Sequence, residues 1–209
     1  MNHIFYYPNR PTLVPPDPKD PLNPKPNYIN SLESTGKYIA EYKFNGDNTL
    51  IYTDDLSFWN REGKRLCYTP IPEILTELKK FPKGCILNAE TMHRHTKFVK
   101  NLIILHSALA WEGSLLIGNT WGNARLLLEE QKWLPNTEGT KLNYKCHVLL
   151  SQTYTNNFWS MFERARACDD AIEGIVLKNP HGKLQFSVSP LTDVPYMLKI
   201  RKPCKKYSY

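Results

Sequence analysis

The segment Tyr38-Ile-Ala-Glu-Tyr-Lys-Phe-Asn-Gly-Asp-Asn48 is a strand-like run that ends in a lysine and breaks three residues later at Gly46. Two more strand-like runs follow at Thr49–Thr53 and Leu56–Asn60. Asp54-Asp55 between them is a two-residue hairpin signal without its usual glycine. A chain that begins its ordered part this way must build sheet from hairpins. Glu41 and Lys43 are two residues apart, so on a strand both side chains point to one face. A carboxylate there can accept a hydrogen bond from an exocyclic amine. The amine of Lys43 in that setting is a candidate nucleophile, and it attacks phosphorus only when unprotonated. Burial, or nearby cations such as Lys199 and Arg201, favours that form. Gly46 would permit a turn with positive φ, letting backbone approach phosphates closely. Taken alone, the segment also fits an ordinary edge-strand lysine before a turn.

Downstream, strands and helices alternate irregularly. Ile71–Phe81 has helical spacing, with prolines at 70 and 72 at its start and Pro82 past its end. Cys85–Thr91 and Leu102–Trp111 read as buried strands, Asn123–Leu134 and Phe158–Cys168 as helices, and Ile172–Lys178 and Tyr196–Arg201 as late strands. Hairpins with interspersed helices predict an α+β fold rather than a doubly wound sheet. Upstream, residues 8–26 hold eight of the 16 prolines. Proline has no N–H to donate to a ladder, so residues 1–30 read as an extended arm laid over one domain spanning 31–209. A recognition peptide for a partner is the other reading of the arm.

A chain of 209 residues is ample for one core and tight for two full domains. Its net charge of +7 favours polyanionic partners, nucleic acid first. The five cysteines are scattered with no C-x-x-C pair, which fits reduced thiols in a cytoplasmic setting. No apolar run approaches the ~18 residues of a membrane span. His93-x-His95 offers two imidazoles on one strand face, but no further metal ligands stand nearby.

The motifs that follow Lys43 give the chain a recognisable order. Glu41-Tyr-Lys43-Phe-Asn-Gly46 resembles motif I of the covalent nucleotidyltransferases: ATP-dependent DNA ligases, RNA ligases and mRNA-capping guanylyltransferases. The common pattern is K-x-D-G, from which Asn45 departs. Phe58-Trp-Asn-Arg61-Glu-Gly63 resembles motif Ia, Ile86-Leu-Asn-Ala-Glu90 motif III, and the run from Ile103 to Gly113 motif IIIa, with Ser107 in place of an aspartate. Glu173-Gly-Ile-Val-Leu-Lys178 resembles motif IV, E-G-I/V-V-x-K. Met197-Leu-Lys199-Ile-Arg201-Lys202 resembles motif V, W-L-K-x-K. Arg125 begins a segment similar to the family's R-x-x-L and reads as structural. Tyr207 continues the family's trailing aromatic, and Lys202, Lys205 and Lys206 could track a nucleic-acid backbone.

The resemblance implies a fold of two antiparallel sheets with flanking helices and a nucleotide cleft between them. It implies that Lys43 forms a lysyl–AMP bond from ATP, with Glu41 reading the adenine amino group. Arg61 is assigned to the ribose or polynucleotide, Glu90 to the ribose, and His106 to the position stacked on the base. Glu173 helps place Mg²⁺ or Mn²⁺, while Lys178, Lys199 and Arg201 meet the phosphates. The AMP then passes to a 5′-phosphate end, and a 3′-hydroxyl seals the strand. Asn45 favours RNA over DNA as that strand. No C-terminal OB-fold is expected within these residues, so a protein partner could supply such a domain. A GTP-using capping enzyme and a degenerate nucleotidyltransferase that only binds nucleic acid stay open as alternatives.

Overall fold

In the computed structural model, residues 9–20, 24–142, 145–185, 189 and 192–203 are described. Cys204, Lys205, Lys206 and Tyr207, with Pro8 and Pro21, lie outside them. In chain order the elements are β1 (Arg10–Leu13), α1 (Pro26–Ser34), β2 (Ile39–Phe44), β3 (Asp47–Tyr52), β4 (Ser57–Asn60), α2 (Pro72–Leu78), β5 (Ile86–Met92) and β6 (Leu102–Trp111). Then come β7 (Ser114–Leu115), α3 (Trp121–Glu129), β8 (Val148–Leu150), α4 (Phe158–Ala167), β9 (Ile172–Lys178) and β10 (Asp193–Arg201).

The strands form two sheets. One has four strands in the order β1-β10-β9-β2; the other has six, β4-β3-β5-β6-β7 with β8 paired to β6. This is the α+β arrangement expected from the sequence, with flanking helices. Both sheets are antiparallel except where β1 joins β10 and β8 joins β6, which are parallel pairs. The chain leaves the first sheet at Phe44 and enters the second at Asp47. That short crossing opens a cleft between the sheets with the Lys43–Gly46 segment at its wall.

Three features depart from the sequence reading. Within the proline-rich stretch, Arg10–Leu13 adds an edge strand despite Pro11, since an edge position leaves one side of the strand without ladder partners. Val14 and Ile29 are buried with Phe44 and Phe158 in one core cluster. The β3–β4 turn spans four residues, Thr53 to Leu56, with Leu56 at φ 52°. It is not a two-residue hairpin. His93 and His95 also lie beyond the end of β5, not on it.

Helix ends explain how the layers hold together. The Glu33 carboxylate on α1 accepts from the N–H groups of Asn157 and Phe158, both at 2.8 Å. It thereby satisfies donors at the start of α4 that have no intrahelical partner. Thr120 caps α3 through its hydroxyl, which accepts from Asn123 N–H at 3.2 Å. Among the described residues no helix is long and apolar enough to cross a membrane.

Candidate active site

Side chains from both sheets line a cavity of about 470 Å³, within the usual range of a small-molecule site. β2 carries Glu41 and Lys43 to its wall, and β9, the neighbour of β2, carries Glu173 and Lys178. β10 adds Lys199 and Arg201 from the next strand over. In register, Lys43 faces Gly174 and Glu41 faces Val176. The site residues therefore separate into two groups along the strands.

At one end, Lys43 Nζ is 2.5 Å from Glu173 Oε2, and Arg201 Nε is 3.5 Å from the same oxygen. Lys199 lies one residue pair away on β10, 6% exposed. Burial pushes its ammonium down to about pH 8, helped by Arg10, Arg201 and Lys43, with Asp193 opposing. Glu90 reaches across from β5 and accepts from the Gly46 N–H at 2.9 Å. Burial pushes the Glu90 carboxyl up, against the pull of Lys43 and that N–H.

At the other end, Glu41 is buried, with its Oε2 2.8 Å from Lys178 Nζ and 2.9 Å from His106 Nδ1. Burial alone raises a carboxyl, but Lys178, His106 and Arg125 outweigh it and hold Glu41 well below the usual carboxylate range. Burial pushes His106 the other way, toward the neutral imidazole, so its Nδ1–H donates to Glu41. Lys178 also sits 4.6 Å from the centroid of the Trp121 ring. Arg125 fastens this end: it donates to the carbonyls of His106 and Ser151 and to Glu129. Its Nη1 stands 3.8 Å from Glu41 Oε1. That oxygen is buried and has no hydrogen-bond donor among the described residues.

The structure brings together all ten residues singled out from the sequence: Glu41, Lys43, Gly46, Arg61, Glu90, His106, Glu173, Lys178, Lys199 and Arg201 line or border one cleft. Two of the expectations need correction. Gly46 does not have a positive φ. It is glycine because a Cβ there would stand 2.6 Å from the Thr91 carbonyl and 2.8 Å from Glu90 Cγ. Lys178 does not join the cations beside Lys43; its partner is Glu41, at the opposite end. The positive φ belongs instead to Gly174 (148°), where a Cβ would fall 1.9 Å from the Ile200 carbonyl.

Several residues escaped sequence reasoning. Asn9 and Arg10 line the cleft from the proline-rich segment, and Arg10 pairs with Asp193 at 3.1 Å. Trp121 follows a Thr that caps α3, a local signal that marks a helix start but says nothing of the cleft. Asp47 holds Arg94 through two hydrogen bonds of 2.6 and 2.9 Å and His95 at 3.1 Å. Asn45, the departure from the motif, donates to the Asp170 carbonyl at 2.7 Å and so secures its own turn.

No protein-family model matches the sequence, and no curated protein matches it. Solved structures do. A structure designated Pmar-Lig_Pre superposes with a TM-score of 0.55 at 19% identity, over 79% of this chain and 42% of the other. The ligase domain of Mycobacterium tuberculosis LigD gives 0.55 at 14%, over 78% and 53%. The ATP-dependent DNA ligase of bacteriophage T7, in complex with ATP, gives 0.53 at 15%, over 94% and 68%. The chain spans about half the length of the first two. It shares its fold with these ligase structures.

Proposed function

We propose that this domain transfers AMP from ATP to a polynucleotide end through a lysyl–AMP intermediate on Lys43. The observation that carries the reading is the Lys43–Glu173 contact of 2.5 Å in a cleft that also holds Lys199 and Arg201. Glu173 stands where it can take the proton from the Lys43 ammonium. The freed amine attacks the α-phosphorus of ATP; an N–P bond forms and the P–O bond to pyrophosphate breaks. Charge on the departing oxygens is offset by the fixed cations Lys199 and Arg201. The AMP passes to a 5′-phosphate, whose 3′-hydroxyl partner displaces it and closes the strand.

The buried Glu41 supports ATP over GTP. Its Oε1 lacks a donor among the described residues, and the exocyclic amine of adenine supplies one. Guanine would set a carbonyl against that carboxylate, leaving two acceptors face to face. His106 and Trp121 stand at the same end, against Glu41 and Lys178, and we assign Glu90 to the ribose and Arg61 to the ribose or the strand.

The donor set also fits a divalent metal of the magnesium or manganese kind. No three His, Cys, Asp or Glu side chains converge among the described residues. Mg²⁺ is commonly held by one or two carboxylates together with substrate phosphates rather than by a protein cage, and Glu173 is the carboxylate beside Lys43. Bound there, it would neutralise phosphate charge.

RNA is our reading of the strand, on the strength of Asn45. DNA is the second reading, because the bacteriophage T7 neighbour is an ATP-dependent DNA ligase and another similar structure is a mycobacterial DNA ligase D. Sealing assays on nicked RNA and nicked DNA separate them, and activity on DNA alone would reject the RNA reading. For the central step, α-labelled ATP should leave label on the wild-type chain and none on Lys43→Ala. Label that persists on Lys43→Ala refutes the assignment.

A further inference from the structure

We propose that the loop joining β5 to β6, residues 93–101, is a docking platform for single-stranded nucleic acid, with Phe98 as the ring on which a base stacks. The inference rests on the polynucleotide reading above and adds where the strand lies. Phe98 is 72% exposed, more than any other large hydrophobic residue among those described. The loop that carries it is tied down. Lys100 Nζ donates to the carbonyls of His93 (2.6 Å) and Thr96 (2.5 Å). The buried Thr96 hydroxyl donates to the Val99 carbonyl. The Lys97 N–H donates to Asp170 Oδ2 at 2.7 Å. The ring is thus presented by a built loop, with Lys97 Nζ 5.0 Å from its centroid on one face.

Location and charge select the occupant. Asn45, two residues from Lys43, donates to the His95 carbonyl at 3.4 Å, and Arg94 and His95 line the cleft mouth at the Lys43 end. Arg94 pairs with Asp47, whereas the ammonium groups of Lys97 and Lys100 meet the Phe98 ring and two carbonyls, so with Asp170 bonded only by the Lys97 N–H the loop is basic in balance. The turn after β4 carries Arg61, Lys64 and Arg65, with Glu62 3.9 Å from Lys64, and Arg61 lines the same cleft as Arg94 and His95. Tyr68 joins the two segments through a ring contact with His93 at 5.0 Å and a hydrogen bond to Asn101 at 3.3 Å. Cations that follow a phosphate backbone, together with an exposed aromatic ring, are the two parts of single-strand recognition. A duplex keeps its bases stacked on each other, so a ring of this kind is of use to unpaired bases next to the reacting end.

The test is fluorescence anisotropy with a short, labelled, 5′-phosphorylated single strand of mixed sequence, alongside AMP labelling of the same preparations. Phe98→Ala should weaken binding about tenfold, Phe98→Trp should keep it, and both should accept AMP as the wild type does. Phe98 is exposed, so thermal melting should not move. If Phe98→Ala binds the strand within about twofold of wild type while labelling is intact, the platform is wrong. The same holds if that variant instead loses a co-purifying protein, which would assign the ring to a protein partner. A wild-type chain that binds the strand in a Phe98-dependent way but never takes AMP would sink the transferase reading and leave the platform standing.

Discussion

Glu41 keeps a charge in a place where charge is costly, and three partners make that tolerable. Replacing it with glutamine leaves the Lys178 ammonium buried against a neutral group, a loss of about 3–5 kcal/mol for a broken buried pair. Urea unfolding of Glu41→Gln measures it, and a loss below about 1 kcal/mol would mean that the pair is solvated. The pH dependence follows the same carboxylate. Its folded value lies below the ordinary 4.5, so its stabilisation is complete above that pH and drains away as the solution becomes more acid. Lys199 shifts stability in the same direction with pH, although here burial disfavours the charge. Its folded value of about 8 is below the ordinary 10.5, so between these values the unfolded chain holds the extra proton and stability rises with pH. In that window the free protein loses the cation proposed to meet the triphosphate. ATP affinity by titration calorimetry should therefore fall as pH climbs past about 8, and Lys199→Arg, which stays charged, should flatten the fall. A wild-type affinity that is level from pH 7 to 10 would contradict it.

At the scale of elements, the pairing of β9 with β10 sets the distance between Glu173 and Arg201. Gly174 permits it, because Ile200 and Arg201 crowd the position where a side chain would begin. Gly174→Ala should cost about 3 kcal/mol or more, since backbone must shift to admit the methyl group. A melting temperature unchanged from wild type would show that the strands can part freely. Glycine at this position could be read from the sequence as a motif but not as a geometry. Gly46 was the more tempting candidate for unusual backbone, and its real constraint is a neighbour 44 residues away in Glu90. Local pattern was enough for β6, whose ends at Leu102 and Trp111 are those expected, because a ten-residue apolar strand leaves few alternatives. It was not enough for β1 or β8. Prolines hide the first, and the three-residue β8 exists only because β6 offers it a parallel edge. The helix read as Asn123–Leu134 begins at Trp121, since the Thr120 cap fixes its start before the periodic residues do.

The whole molecule is two sheets that hold a cleft of opposite chemical ends. One end has an amine, a carboxylate and two phosphate-sized cations; the other has a buried carboxylate short of one donor. The ten residues that meet there were legible from sequence because each sits in a short motif on or beside a strand. Their division into a Lys43–Glu173 end and a Glu41–Lys178 end was not, because it depends on register between β2 and β9 and on Lys178 folding back toward Glu41. Asn9, Arg10 and the Arg94 loop reach the cleft from segments with no motif at all. Peptide-level mass spectrometry of the purified chain after incubation with ATP and magnesium is the most direct examination of this arrangement. The account requires one AMP, on the peptide containing Lys43, removed by pyrophosphate. An unmodified chain, or AMP found on Lys199 or another lysine, would contradict it.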